Sequence, residues 1–157
     1  MSKPGLILAA RILTDLKELA LLAERAKQGW EKAKSRNDDF YFDAVALNLH
    51  GFYSGLENIF EKIASAVDGT VPSAANWHKE LLNQMCMEVP NIRPAVISGN
   101  LCEMLEEYRG FRHVVRNVYT HHLNPEKMEP LVIKIDEALA ELTTELTAFA
   151  KFVQEAE

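Results

Sequence analysis

The sequence predicts an all-α fold, an up-and-down bundle of four long helices and one short helix. Apolar residues recur at three- and four-residue steps along most of the chain, which is the period of amphipathic helices. Seven glycines and six prolines are few for 157 residues, and the prolines lie near proposed helix boundaries. A hydrophobic content of 48% suits one ordinary core, so we expect residues 1–157 to form a single helical domain.

The first two helices are predicted over residues 5–34 and 40–67, where the apolar period is continuous. Between them, residues 35–39 are polar and include candidate N-cap side chains. Asp68-Gly69 ends the second helix, because glycine accepts the backbone conformation that follows a helix C-terminus.

The remaining helices are separated by prolines. A shorter third helix is predicted within residues 73–90. The fourth helix begins within residues 94–98 and continues through Val118. The fifth helix follows Pro125 or Pro130 and carries acidic residues on the face opposite its apolar stripe.

Cysteine usage and hydropathy indicate a cytoplasmic protein. Cys86 and Cys102 are the two cysteines, lie in apolar helical surroundings and form no C-x-x-C pair, so we expect buried thiols. The apolar run near the N-terminus is interrupted by Arg11, Asp15 and Lys17, far short of a membrane span or a signal peptide. We therefore expect no membrane association.

Residues 108–122 form a basic segment in an acidic protein. They contain three arginines, three histidines and no acid, whereas the whole chain has a formal net charge of -6. Residues 126–157 contain eight acids and three lysines, so much of the acidity lies there. Nonspecific attraction to nucleic acid is disfavoured, but a confined basic surface can bind a few phosphates.

Within the basic segment, Arg109, Arg112 and Arg116 are spaced three and four residues apart and share a helix face with Tyr119. His121 is five residues from Arg116, which places it about 140° away on an ideal helix. A helix that tightens or frays at this end could bring His121 back to Arg116. A second subunit could also complete the pair.

Arg116 and His121 together suit RNA cleavage by attack of a ribose 2′-hydroxyl on the adjacent phosphodiester. A guanidinium donates bidentate hydrogen bonds to a phosphorane, and a histidine transfers protons near neutral pH. This chemistry needs no metal, so we expect no metal ligand and no cofactor. RNA is the expected substrate because DNA lacks the 2′-hydroxyl. The second proton transfer could use His113, His122 or a symmetry-related His121.

The segment Arg116-Asn117-Val118-Tyr119-Thr120-His121 resembles the Arg-polar-x-x-x-His motif of the HEPN superfamily. Further segments resemble HepT-like chains in the same order. They are residues 52–64, Asp68-Gly69, Trp77-His78, Leu81-Leu82, Arg93-Pro94 and residues 108–119. The resemblance covers residues 40–125, and the two terminal helices match only as generic helices.

The resemblance implies a homodimer of HEPN/HepT-like helical domains, with the motif lining a cleft between subunits and cleaving RNA, with tRNA as one candidate. It also implies neutralisation by a cognate nucleotidyltransferase antitoxin that adenylylates the toxin. The characterised HepT pattern has a tyrosine two residues beyond the histidine, where this chain has Leu123. Tyr119 is the substitute acceptor. The alternative is a non-catalytic HEPN subunit that binds a nucleotidyltransferase or its nucleotide.

We therefore assign Arg116 to phosphorane stabilisation and His121 to proton transfer. His50 and His78 are expected to be structural and to lie outside the site. Arg109 has an alternative role, because Glu106 is three residues earlier and could form an ordinary surface ion pair with it. The supporting residues of the site are Asn117, Arg112, His113, His122 and Arg109.

Overall fold

The structure, a computed structural model, describes residues 2–156 and confirms the predicted all-α bundle. Within these residues there are five α-helices, which are α1 (Lys3–Ser35), α2 (Phe40–Ile63), α3 (Trp77–Met85), α4 (Gly99–Asn117) and α5 (Pro125–Glu155). A π-helical turn, Ala64–Asp68, continues α2, and a 3-10 turn, Thr120–His122, precedes α5. None of the helices in this part of the chain is long and apolar enough to span a membrane.

Side-chain caps fix the beginnings of three helices. The Ser2 hydroxyl accepts a hydrogen bond from the Gly5 amide at 3.1 Å, and the Ser98 hydroxyl accepts one from Leu101 at 3.2 Å. Asn124 Oδ1 accepts from the Glu126 amide at 2.9 Å. Each cap satisfies an amide that has no partner within its helix, a contribution of about 1 kcal/mol.

One connected apolar core joins all five helices. Helices α1, α2 and α5 pack against one another, α4 packs on α2 and α5, and α3 packs on α2 and α4. Helices α1 and α2 approach closely at Gly55, where an added Cβ would lie 2.8 Å from Leu19 Cδ2. The large side chains at the centre, Phe52, Tyr53 and Phe60 from α2 and Tyr108 from α4, are fully buried.

Helix α4 ends at Asn117, earlier than predicted. Val118 is extended, with φ -130° and ψ 157°, so the prediction that the helix runs through Val118 is wrong by one residue. Residues 117–122 contain asparagine, β-branched residues, tyrosine and histidines, which are poor helix formers. Tyr119 consequently does not continue the helical face that carries the three arginines.

Helix α5 begins at Pro125, the first of the two predicted positions, and contains Pro130. Pro125 fits the first turn of the helix, because an amide at that position would have no helical partner.

The prediction that Cys86 and Cys102 are buried thiols is wrong. The structure pairs them in a disulfide, with Cα atoms 6.2 Å apart, and both residues are only partly buried. Cys86 follows the last turn of α3 and Cys102 lies in the first turns of α4. The two cysteines are close because residues 87–98 fold back on themselves. A search for short C-x-x-C spacings does not detect a pair brought together in this way.

Arg93 holds this fold-back in place. The residue is 3% exposed, and its guanidinium forms a bidentate pair with Asp68, with Nε–Oδ1 and Nη2–Oδ2 distances of 2.6 and 2.8 Å. It also donates to the carbonyls of Gln84 and Met87. Burial alone would raise the pKa of Asp68, but hydrogen bonds from Arg93 and Gln84 outweigh it and lower that pKa. The end of α2 is thereby fixed to the end of α3.

Candidate functional site

A cationic pocket of about 550 Å³ lies between α3 and α4. We call it the arginine pocket. Three guanidinium groups and two imidazoles line it, and no carboxylate belongs to its wall within the described residues. Its lining residues are Ala75, Trp77, His78, Arg109, Arg112, His113, Arg116 and Asn117.

The basic residues of α4 reach one wall because they repeat at helical spacing. Arg109, Arg112 and Arg116 lie three and four residues apart, so they share one face of a helix with 3.6 residues per turn. The C-terminal end of a helix dipole also favours cations, and Arg116 lies in the last turn. The structure therefore concentrates positive charge where α4 ends.

Arg112 is the most firmly held of the three. Its side chain is 11% exposed, and its Nε donates to the Ser54 hydroxyl at 2.9 Å. Its Nη2 lies 3.8 Å from Oε1 of Glu57, a carboxylate whose side chain is 4% exposed. Ser54 and Glu57 are on α2, so Arg112 connects the pocket to the centre of the bundle.

Glu57 also contacts His78. Its Oε2 lies 2.7 Å from His78 Nδ1, and Arg112 Nη1 lies 3.5 Å from the same nitrogen. The His78 ring stacks on Trp77, with ring centroids 3.7 Å apart and planes 30° from parallel. The sequence placed His78 outside the site, whereas the structure places it in the pocket wall.

The sequence did not reveal this position of His78 because it depends on a tertiary contact. Thirty-four residues separate His78 from Arg112. They meet because α3 packs across α2 and α4. Only the adjacent Trp77-His78 pair, part of the resemblance to HepT-like chains, singled out this position.

Arg109 and Arg116 differ in their partners. Arg109 forms the ion pair expected with Glu106, donating from Nε at 2.8 Å and from Nη2 to the second oxygen. Hydrogen bonding to Arg109 lowers the pKa of Glu106. Arg116 is exposed and makes no ion pair or hydrogen bond with any described side chain. Beside it, Asn117 donates to the His113 carbonyl at 2.7 Å.

His121 lies in a different depression. That depression has a volume of about 440 Å³ and is lined by Asp39, Phe40, Phe42, Asp43, His121, Leu123, Pro125 and Met128. Within one protomer, the structure therefore does not bring His121 into the arginine pocket with Arg116. His122 lines neither cavity and packs edge-on against His121, with centroids 4.2 Å apart.

Tyr119 is 76% exposed, and its ring lies nearly parallel to His121 with centroids 5.9 Å apart. Leu123, which occupies the position of the characterised HepT tyrosine, lines the depression beside His121. The residue predicted to replace that tyrosine is thus accessible and adjacent to the predicted proton-transfer residue.

The pKa values of two side chains of α2 near the pocket are shifted. Burial lowers the pKa of His50, and the charges of Arg112 and Arg116 lower it further. The Tyr53 hydroxyl is buried and has no hydrogen-bond partner among residues 2–156. Burial raises the pKa of Tyr53. No three histidine, cysteine or carboxylate side chains of the described chain form a group that could hold a metal ion.

A family model described as HepT-like protein matches residues 44–153, which include every residue of the arginine pocket and His121. The chain belongs to the HepT-like family. This HepT-like protein is accordingly a member of the HEPN superfamily. Membership of the family is typical of HEPN-type ribonuclease toxins. HepT-like proteins in general form dimers and have nucleotidyltransferase partners. Neither a curated protein nor a solved structure matches this HepT-like chain.

Proposed function

We propose that this HepT-like protein is a metal-independent endoribonuclease toxin acting in the cytoplasm on RNA, with tRNA as the first substrate to test. The observation that carries the proposal is the arginine pocket, in which three guanidinium groups and two imidazoles meet beside the Arg-Asn-x-x-x-His motif. Such a wall suits an anionic phosphodiester, because guanidinium groups donate paired hydrogen bonds to phosphate oxygens.

In the proposed reaction, the ribose O2′ forms a bond to phosphorus and the bond from phosphorus to O5′ breaks. The products are a 2′,3′-cyclic phosphate and a 5′-hydroxyl. Arg116 stabilises the negative charge that develops on the phosphorane, and Arg112 and Arg109 hold the phosphate. His121 protonates the leaving O5′, and Asn117 orients Arg116 or the substrate. His113 and His122 support the site.

The proposal requires a homodimer, because Arg116 and His121 lie in separate depressions of one protomer. His121 of a second protomer would complete the arginine pocket of the first. The exposed Val118 and Tyr119 within the motif supply apolar surface that a partner could cover.

We further propose that a cognate nucleotidyltransferase inactivates the toxin by adenylylating Tyr119. The hydroxyl of this residue is on an exposed side chain, and its ring stacks against His121. An adenylate there would add bulk and negative charge next to the proton-transfer group and would hinder the approach of RNA to it.

The test is cleavage of total tRNA in excess EDTA by the wild type, Arg116→Ala and His121→Ala. Arg25→Ala, which removes an exposed arginine from α1, is the matched control for loss of positive charge. We expect discrete fragments with 2′,3′-cyclic phosphate ends from the wild type and the control, and none from the two motif variants. Retained cleavage by His121→Ala would refute the assigned chemistry.

Mixing the two motif variants tests the shared site. If each site takes Arg116 from one protomer and His121 from the other, a mixed dimer of Arg116→Ala and His121→Ala contains one intact site. With random exchange, about a quarter of wild-type activity should return. No recovery, with subunit exchange demonstrated by mass spectrometry, would mean that both residues act within one protomer.

The second candidate function is the non-catalytic subunit that binds a nucleotidyltransferase or its nucleotide. The separation of His121 from Arg116 within a protomer and the presence of Leu123 favour it. An unmodified, dimeric protein that binds a nucleotide and cleaves no RNA would establish this function instead.

A further inference from the structure

We propose that His78 is the general base that removes the 2′-hydroxyl proton, and that Glu57 is the residue that positions it. This inference rests on the proposed ribonuclease function and deepens it, because that reaction needs two proton transfers and His121 supplies one of them. The inference is carried by the position of His78, which lines one pocket with three arginines and contacts the buried Glu57 carboxylate behind the pocket wall.

The contact with Glu57 determines which nitrogen of His78 can accept a proton. An ionised carboxylate only accepts hydrogen bonds, so the 2.7 Å contact between Glu57 Oε2 and His78 Nδ1 requires a hydrogen on Nδ1. In a neutral imidazole, Nε2 then carries the lone pair. This nitrogen has no hydrogen-bond partner within residues 2–156, and the ring belongs to the pocket wall.

The ring is also fixed in orientation. Stacking on Trp77 restrains the plane of His78, and the buried side chains of Leu81, Leu82 and Met85 anchor the same helix to the core. A catalytic base gains from such restraint, because its lone pair stays directed at the substrate. Glu57 is itself held in position by α2, on the buried face that also carries Tyr53, Leu56 and Phe60.

His78 has features that the other histidines lack. His113 is exposed, and among the described side chains its ring contacts only Asn117, on the same helix, as a hydrogen-bond partner. His122 packs against His121 and does not line the pocket. His78 combines a carboxylate partner, a place in the pocket wall and proximity to Arg112, which would hold the phosphate next to the attacking hydroxyl.

The proton balance of the step is complete. Nε2 of His78 takes the proton of the 2′-hydroxyl as O2′ bonds to phosphorus. The P–O5′ bond then breaks, and His121 gives its proton to O5′. One proton is gained by His78 and one is lost by His121, and exchange with water restores both.

A substrate with an activated leaving group separates the two roles. In uridine 3′-(p-nitrophenyl phosphate), attack by the 2′-hydroxyl expels p-nitrophenolate, which leaves without being protonated. A variant that lacks the acid should therefore recover activity on this substrate, whereas a variant that lacks the base should not. The assays would compare this compound with a uridine-containing oligoribonucleotide.

The test variants are His78→Asn and His78→Gln. The asparagine amide can replace Nδ1–H and keep the hydrogen bond to Glu57 while removing Nε2, and glutamine provides a second substitution if the first unfolds. We expect a loss of at least about 100-fold on both substrates. His121→Ala should lose a similar factor on the oligonucleotide but stay within about tenfold of wild type on the activated compound. Glu57→Gln should lower kcat on both substrates with little change in KM.

Three results would overturn the inference. If folded His78 variants, shown by unchanged thermal melting, keep wild-type kcat on both substrates, His78 is structural. If the activated compound restores their activity, His78 is the acid and not the base. If the wild type cleaves neither substrate, the ribonuclease function fails and the role of His78 fails with it, a result distinguishable from the first two by the wild type alone.

Discussion

The wall of the arginine pocket and the turn that follows α4 are adjacent in sequence but are built differently. Arg112 donates to Ser54 and lies against the buried Glu57, so the pocket is tied to the centre of the bundle. In the turn, Tyr119, His121 and His122 contact one another through their rings, and Tyr119 is largely exposed. One protomer thus assembles by itself the half that we propose binds phosphate, while the half that carries His121 presents its side chains at the surface.

Two neighbouring parts of one proposed site, the α4 wall and the turn after it, are thus subject to different physical constraints. A buried, hydrogen-bonded arginine contributes to folding as well as to binding, whereas an exposed one is available for binding alone. Substitutions in the α4 wall and in the turn should therefore affect stability and activity unequally.

The largest expected difference is between Arg112→Gln and Arg116→Gln. Removing the Arg112 guanidinium leaves Glu57 with less compensation in a buried position, which should lower the free energy of unfolding by about 3 kcal/mol. Arg116 is exposed and unpaired among the described residues, so its loss should change that free energy by less than about 0.5 kcal/mol. Urea denaturation of both variants measures the difference.

RNA cleavage by Arg112→Gln and Arg116→Gln complements the measurement of their stability. Both variants should lose RNA cleavage, but only Arg112→Gln should also lose stability. Equal destabilisation of the two would show that Arg112 is not anchored by α2 as the structure indicates.

A smaller effect is expected for two buried tyrosines of the core. The Tyr108 hydroxyl donates to the Leu131 carbonyl at 2.6 Å, so Tyr108→Phe should cost about 1 kcal/mol of folding free energy. The Tyr53 hydroxyl has no partner among the described residues, so Tyr53→Phe should be neutral or stabilising by up to about 1 kcal/mol. Chemical denaturation would contradict the structure if Tyr53→Phe proved the more costly of the two.

The smallest expected effect is a change in the titration of His50. Its pKa lies below the ordinary 6.5 because of burial and, secondarily, because of Arg112 and Arg116. A phosphate bound in the pocket should offset those charges and raise the pKa of His50, and Arg116→Gln should also raise it. The measurement is NMR titration of the His50 ring proton with and without inorganic phosphate.

Lys134→Gln, on the exposed face of α5, is the control substitution for that titration. If phosphate leaves the pKa of His50 unchanged in the wild type, the anion does not occupy the arginine pocket. The same result would weaken the assignment of Arg116 to phosphate.

Local sequence signals were sufficient for the helices and for the basic face of α4. The apolar period predicts the long helices, and Ser98 and Asn124 are polar residues of the kind that cap helices. The spacing of the three arginines places them on one face before any tertiary contact is known.

The remaining features depend on contacts between distant parts of the chain. His78 contacts Arg112 across a sequence separation of 34 residues, and the carboxylate beside it comes from Glu57 on a third helix. Because α4 ends at Asn117, Tyr119 and His121 do not lie on the helix, whereas the periodic pattern predicted that the helix continues through Val118. Propensity predicts where helices form more reliably than where they stop.

The disulfide between Cys86 and Cys102 gives the experimenter a way to alter the pocket without changing any of its charges. The bridge closes a small covalent ring, with a sequence separation of 16 residues, that fastens the C-terminus of α3 to the beginning of α4. Reduction would open this ring without removing any arginine or histidine from the chain. We therefore expect the reduced protein to hold the Trp77-His78 wall less firmly than the oxidised protein of the same sequence.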